Sequence, residues 1–270
     1  MNWYVTGDTH GDFSRFKNYS KEFLDDENSA LIILGDSGFN YFLSDYDNRT
    51  KKDIKKKYKY NGYIYCVRGN HEARPEDVEG MISVYDKAVD GMVYMQEKFP
   101  NIRYFHDGEI YTIDDLKCLV IGGAYSVDKY YRLSTNNIWH ENEQLTDEEM
   151  RNIYSYTRGD CFDIILSHTC PYDWRPTDLF LSGLDQSTVD NSMEKWMLKM
   201  KEDTAWGLWL FGHYHDDRLV RPFVEMYYKC TDKLENIVKR WDKYAESGEL
   251  TEYWIPKDPN FYMGQNMNEG

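Results

Sequence analysis

The stretch Tyr63-Ile64-Tyr65-Cys66-Val67-Arg68-Gly69-Asn70-His71-Glu72 joins an apolar run to a short polar motif. The run is rich in β-branched and aromatic residues, which predicts a buried strand that ends where the motif begins. Four more apolar runs lead in the same way into polar motifs: Trp3–Thr6 into Gly7-Asp8-Thr9-His10, Ala30–Leu34 into Gly35-Asp36-Ser37-Gly38, Ile164–Leu166 into Ser167-His168-Thr169, and Leu208–Phe211 into Gly212-His213-Tyr214-His215.

Helical patterns lie between these predicted strands and a further one at Leu119–Ile121. Thr146-Asp147-Glu148-Glu149 is a capping-box pattern that opens a helix toward Tyr156. Apolar residues at i, i+3, i+4 and i+7 from Leu234 predict a second helix, which Gly248 is placed to end. Strands alternating with helices predict an α/β fold. In such folds ligands collect beyond the carboxyl ends of the strands, where all five motifs would lie.

Length and composition set the outer bounds. The 270 residues fit one domain, residues 1–270, in which residues 216–270 add a strand at Phe223–Tyr228 and a helix around Leu234–Tyr244. No apolar run approaches the roughly 18 residues of a membrane span. The chain enters a strand-like run at once, without a signal-peptide pattern. Five cysteines without a CxxC pair predict buried free thiols, and hence a cytoplasmic location.

The net charge of −15 disfavours nucleic acid as a partner. One basic cluster could offset it: Lys51, Lys52, Lys55, Lys56, Lys57 and Lys59. We interpret this cluster as the solvated face of a helix rather than a binding surface. The oligomeric state is left open.

The motifs gather the donor types of a metal site, because five of the seven histidines fall inside them together with Asp and Asn. A carboxylate has two oxygens and can bridge two cations, so we predict Asp36 as the shared ligand. One ion would then take Asp8, His10, Asp36 and His215, and the other Asp36, Asn70, His168 and His213. Such sites suit Mn²⁺, Fe or Zn²⁺, of which we favour Mn²⁺. His71 would give a proton to a leaving oxygen.

The ordered motifs Asp-x-His, Gly-Asp, Gly-Asn-His-Glu, His and Gly-His-x-His resemble those of the calcineurin-like metallophosphoesterase superfamily, here the small single-domain bacterial and phage type that is related to Ser/Thr protein phosphatases. The match spans residues 7–215. The resemblance implies a four-layered α/β/β/α sandwich of two mixed sheets flanked by helices. It also implies a dinuclear metal centre that hydrolyses a phosphomonoester or a phosphodiester.

Two segments bear on the substrate. Arg68-Gly69-Asn70-His71-Glu72 resembles the protein-phosphatase branch, but the Asp-Arg-Gly of that branch is replaced by Ser37-Gly38-Phe39-Asn40-Tyr41. The segment from Gly122 to Arg132 resembles a stretch of small phosphoesterases. We predict substrate contacts from residues in and near these segments, with Arg68, Lys129 and Arg132 toward phosphate and Tyr125, Tyr130 and Tyr131 toward a base.

The favoured function is hydrolysis of a small phosphorylated molecule, such as a nucleotide, by a metal-bridging hydroxide, with Asp36 and His71 as the catalytic residues. Two alternatives stay open. One is a phosphatase or nuclease that acts on phosphoprotein or nucleic-acid ends. The other is a non-catalytic scaffold, although such a protein should have lost metal ligands, and the predicted set here is complete.

Overall fold

The computed structural model describes residues 1–180 and 186–248, and within them the strands form two sheets. The spatial order of the first sheet is β13 (Thr231–Lys233), β1 (Asn2–Thr6), β2 (Ser29–Leu34), β3 (Tyr63–Val67), β6 (Ile102–Phe105), β5 (Gly91–Gln96) and β4 (Met81–Asp86). That of the second is β11 (Arg218–Arg221), β12 (Val224–Met226), β10 (Ala205–Phe211), β9 (Cys161–Ser167), β8 (Leu116–Ile121) and β7 (Ile110–Ile113).

Both sheets are mixed. Strands β1, β2, β3 and β6 run parallel, while β13, β5 and β4 are antiparallel to their neighbours. In the second sheet β8, β9, β10 and β12 are parallel, and β7 and β11 are antiparallel edges. The helices of the described residues are α1 (Lys21–Asp25), α2 (Asp45–Lys56), α3 (Lys129–Ser134), α4 (Asp147–Thr157), α5 (Ser192–Asp203) and α6 (Leu234–Ser247).

Strand β2 shows how the layers arise. All six of its residues are buried, because its side chains alternate between two apolar environments. Ile32 and Leu34 belong to a core that contains residues of both sheets, whereas Leu31 and Ile33 pack in a separate core with Ile54 of α2. A third core joins the outer face of the second sheet to α4 and α5. Helices therefore flank two facing sheets, which confirms the predicted four-layered α/β sandwich.

Most of the predicted helices and strands are found within slightly longer elements, and β3 coincides with its predicted bounds. Helix α4 begins with the predicted capping box at Thr146, and Gly248 ends α6 with the left-handed φ of 71° expected of a C-cap glycine. The expected strand at Phe223–Tyr228 is shorter, at Val224–Met226. No helix among residues 1–180 and 186–248 has both the length and the apolar character needed to cross a bilayer.

Two surface predictions need correction. Five lysines of the basic cluster are exposed as predicted, but Lys51 is buried. It lies on the buried stripe of α2 with Asp47 and Ile54, and its Nζ donates to Asn40 Oδ1 at 2.7 Å and Gln96 Oε1 at 2.9 Å. All five cysteines are free, but Cys161 is exposed rather than buried, because it begins the solvent-accessible end of β9.

Candidate metal centre

The five polar motifs follow β1, β2, β3, β9 and β10, and they meet at the carboxyl ends of both sheets. The first group of donors is Asp8, His10 and His215. Asp8 Oδ2 lies 3.2 Å from His215 Nε2 and 3.7 Å from His10 Nε2, and the two imidazole nitrogens are 2.8 Å apart. Strands from different sheets thus bring together residues about two hundred positions apart.

A second group of donors lies on the other side of Asp36. Asn70 Oδ1 is 2.7 Å from His168 Nε2 and 3.1 Å from His213 Nδ1. His168 Nε2 is also 3.6 Å from Asp36 Oδ2. These four residues are the ones predicted to hold the second ion.

Asp36 connects the two groups. Its Oδ2 lies 3.9 Å from His10 Nε2 in the first group and 3.6 Å from His168 Nε2 in the second. Its Oδ1 accepts a hydrogen bond of 2.7 Å from the backbone N–H of His71, which fixes the carboxylate plane. Asp36 Oδ2 therefore lies within 4 Å of a nitrogen donor in each group.

Bound divalent cations explain the contacts among these donor atoms better than hydrogen bonds between the side chains do. The Nδ1–H of His168 donates to the Leu34 carbonyl at 2.8 Å, so in a neutral ring Nε2 presents a lone pair to Asn70 Oδ1. The Asn70 amide is oriented by its own donation to Ser126 Oγ. Asp8 Oδ2 is buried and has no hydrogen-bond partner among the described residues. Facing lone pairs and an orphaned carboxylate oxygen are the features that a metal ion would satisfy.

The pKa shifts of these residues also support a metal site. Burial alone would raise the pKa of Asp36, but His168, His71 and His10, with the backbone N–H of His71, outweigh it and hold the pKa below its ordinary value. The pKa of Asp8 is lowered in the same way, chiefly through His215. Burial, with the neighbouring His168, lowers the pKa of His213 to about 3. Both carboxylates are therefore ionised and His213 is neutral at neutral pH, as metal ligands must be.

The backbone is strained at four of the seven predicted ligands. His10, Asp36, His213 and His215 have φ values of 46°, 48°, 72° and 56°, in the left-handed region. Gly35 permits the close approach of the two sheets, because a Cβ there would lie 1.9 Å from His168 Nδ1. Such strain persists where the surrounding fold over-determines it, which is typical of functional sites.

His71 lies beside the donors, and its ring is held by Arg132. One guanidinium nitrogen of Arg132 is 2.7 Å from His71 Nδ1, and Arg132 Nε donates to Asp128 Oδ2 at 2.7 Å. The hydroxyl of Tyr41 lies 2.9 Å from the guanidinium as well. Burial lowers the pKa of His71, and the positive charge of Arg132 adds to this effect against the opposing charge of Asp36.

The other predicted substrate contacts are placed differently. Tyr125 lines the cavity beside the donors. Lys129 instead lies with its Nζ 4.2 Å from the ring centre of Trp139, while Tyr130 and Tyr131 are exposed. Arg68 is only 1% exposed, which corrects its prediction as a phosphate contact. Its guanidinium donates hydrogen bonds to groups in the interior.

Several supporting residues were missed by the sequence patterns. Arg68 donates to Asp107 Oδ2 at 2.7 Å and to the Glu143 carbonyl at 2.6 Å, which ties the Gly-Asn-His-Glu loop to the loop after β6 and to the segment before α4. The Glu143 carboxylate accepts from Ser126 N and Oγ, and Ser126 in turn orients Asn70. Only a signal linking distant positions would have identified these contacts, since each partner comes from a different loop.

The chain is similar to a known protein family and to known structures. Among solved structures, the phosphopantetheinyl hydrolase (PptH) from Mycobacterium tuberculosis is similar over 96% of this chain and 96% of its own, with 12% sequence identity and a TM-score of 0.46. No curated protein matches the chain significantly. The family model of the calcineurin-like phosphoesterases matches residues 1–217, about four fifths of the sequence, and the chain therefore belongs to that family.

Proposed function

We propose that the chain hydrolyses a phosphomonoester or phosphodiester of a small molecule, such as a nucleotide, at a dinuclear metal centre. Family membership supports a metal-dependent phosphoesterase, and the finer assignment depends on one observation. That observation is the position of Asp36, whose Oδ2 is within 4 Å of a nitrogen donor in each group. A single shared carboxylate between two donor groups is what a pair of ions in one site requires.

Asp8, His10, Asp36 and His215 would hold one ion, and Asp36, Asn70, His168 and His213 the other. When bound, the two ions supply Lewis-acid stabilisation of phosphoryl oxygens and lower the pKa of a coordinated water. Manganese is our first candidate, since the donors are oxygen and nitrogen without a thiolate.

The chain's own residues would act on the two ends of the scissile bond. Arg132 can hold a phosphoryl oxygen, since its guanidinium is anchored by Asp128 and points at the His71 ring. His71 can hold the proton that the leaving oxygen needs. Because its pKa is lowered, protonated His71 is a strong acid but a minority form at neutral pH. The proton transfer would therefore be favoured on the acidic side of neutrality.

We also propose a cellular location, a domain organisation and a class of substrate. All five thiols are free, which suits a reducing cytoplasm. We further propose that residues 1–270 form a single domain, because β13 near the carboxyl end pairs with β1 in the first sheet. A small phosphorylated substrate fits the acidic charge of the chain better than a polyanion does.

The test compares hydrolysis of p-nitrophenyl phosphate and bis-p-nitrophenyl phosphate with added Mn²⁺, together with metal content by mass spectrometry. We expect two ions per wild-type chain. Asp36→Asn should retain at most one ion and lose about 100-fold or more in turnover, because the shared ligand is lost. The exposed Asp115, which also has a left-handed φ of 63°, supplies the control Asp115→Asn, expected to be unchanged.

A wild-type protein that binds one ion, or an Asp36→Asn variant with full turnover, would contradict the dinuclear assignment. The preferred substrate separates a monoesterase from a diesterase. Metal-loaded protein without turnover of either compound would favour the scaffold alternative.

A further inference from the structure

A cavity of about 290 Å³ opens directly beside the predicted metal ligands. One end is lined by Asp36, Asn70, His71 and His213, and the other by Arg175, Leu179, Phe180, Val189, Glu194 and Tyr214. We propose that this second end binds the leaving group of the substrate, and that this group is a nucleoside whose base carries an amino group. This inference rests on the proposed function and deepens it.

Aromatic rings form part of the wall. The rings of Phe180 and Tyr214 both line the cavity, with centres 6.5 Å apart and planes 21° from parallel. Leu179 and Val189 add apolar surface beside them. Rings of similar orientation favour a flat group over a branched aliphatic one, since a flat group can stack on an aromatic face. Nucleobases are such groups, and they stack on aromatic side chains without needing a specific sequence.

A buried carboxylate in the same wall lacks a donor. Glu194 is 4% exposed, and its Oε1 accepts from Thr169 Oγ1 at 3.2 Å. Its Oε2 has no hydrogen-bond partner within the part of the chain that the structure describes. An unsatisfied acceptor of this kind is costly, so the site is built for a ligand that donates. The exocyclic amino group of a nucleobase could donate a hydrogen bond to this oxygen.

The charges of this end of the cavity favour an uncharged ligand. The cation Arg175 is held by the Tyr172 carbonyl at 3.1 Å and by the side chain of Asn191. Glu194, which lines the same end, carries the opposite charge. Among the described residues at this end, the one cation and the one carboxylate therefore balance, and no excess of positive charge is left to receive a second phosphate. A nucleoside is uncharged and meets this requirement, whereas a nucleoside diphosphate or triphosphate carries further phosphates and does not.

The size of the cavity limits the ligand further. At about 290 Å³ it lies at the lower end of small-molecule sites. A single nucleoside is of this order, and a polymer would have to lie mostly outside. Tyrosine of a phosphoprotein is the main competing flat group, but it offers no amino donor to Glu194.

The experiment measures binding of free adenosine, guanosine and cytidine to the Mn²⁺-loaded protein by calorimetry. Purine riboside, which lacks the amino group of adenosine, and N-acetyltyrosinamide serve as comparison ligands. We expect at least one nucleoside to bind, and adenosine to bind about 10-fold more tightly than purine riboside. Phe180→Ala should weaken nucleoside binding about 10-fold, and Phe180→Trp should restore it.

Glu194→Gln keeps the shape of the side chain but removes its charge, and it should reduce the preference for adenosine over purine riboside. Each variant should unfold at nearly the wild-type temperature and bind as much Mn²⁺ as the wild type, which shows that it is folded. Absence of nucleoside binding in wild-type protein that hydrolyses p-nitrophenyl phosphate would overturn the inference, as would tighter binding of N-acetyltyrosinamide. Nucleoside binding without hydrolysis would instead contradict the proposed function alone.

Discussion

At the level of single residues, the contact between Arg132 and His71 defines how the proposed acid works. The guanidinium lies 2.7 Å from His71 Nδ1, and its charge is one reason why the pKa of His71 is lowered. Arg132 thus combines two roles in the proposal, which are to hold phosphate and to keep His71 strongly acidic. A substitution at Arg132 should separate these roles, because they affect different kinetic quantities.

We expect Arg132→Ala to lower kcat/KM for p-nitrophenyl phosphate roughly 10- to 100-fold, since a charged contact to the transition state is removed. The same change raises the pKa of His71. If protonated His71 is required, activity is lost as the pH rises through that pKa, so this loss should move to higher pH in the variant. The measurement is a pH profile of kcat/KM.

Lys129→Ala is the matched control, since Lys129 belongs to the same helix but lies over Trp139. An unchanged pH profile in Arg132→Ala would show that Arg132 does not influence the proton donor.

At the level of elements, α6 is anchored to the sheets by a buried ionic cluster. Arg240 of α6 donates to Asp232 Oδ2 of β13 at 3.0 Å and to Glu225 of β12 at 3.0 Å. Two carboxylates thus share one guanidinium. Burial, opposed by Arg240 and reinforced by Glu225, raises the pKa of Asp232 to about 6 from 3.8. The native state therefore binds this proton more tightly than the unfolded chain does.

Such a group stabilises the fold fully below about pH 4, and the contribution is lost as the pH rises through about 6. We expect Asp232→Asn to flatten the fall in unfolding free energy between pH 4 and 7. Over this pH range the unfolding free energy of the wild type should fall by about 3 kcal/mol more than that of the variant. Urea unfolding at several pH values measures it. A variant with the wild-type slope would show that Arg240 keeps Asp232 ionised at all these pH values.

The elements also show what a single sequence can and cannot predict. Strands β2, β3, β9 and β10 are buried on both faces at their carboxyl ends, so they appear as continuous apolar runs and were predicted. Strand β4 has the burial pattern of a partly exposed edge, and β13 is only Thr-Asp-Lys. These strands exist because a neighbouring strand pairs with them, and short sequence patterns do not contain that information.

At the level of the whole molecule, the two sheets meet through the donor groups. Asp8, His10, Asp36 and Asn70 follow strands of the first sheet, whereas His168, His213 and His215 follow strands of the second. These candidate ligands can be grouped from the sequence because every one closely follows a strand. The cavity wall was not, because Phe180, Glu194 and Tyr214 come from separate segments that only the complete fold brings together.

Metal removal should therefore loosen the contact between the sheets. An ion at about 100 times its dissociation constant contributes about 2.7 kcal/mol, so we expect chelation of two ions to lower the Tm by about 10 °C or more. Differential scanning calorimetry of wild-type protein with and without chelator measures this. Asp36→Asn should show a smaller shift. Equal Tm values in both conditions would contradict a role of bound ions in joining the sheets.

The left-handed backbone at His10, Asp36, His213 and His215 has a consequence for how the sequence can change. Each of these positions costs about 1 kcal/mol or more in a side chain other than glycine. Selection for heat resistance alone would thus reward glycine at the ligand positions, and the resulting proteins would be robust but unable to hold metal. Stability of the fold and metal binding therefore favour different residues at the same four positions.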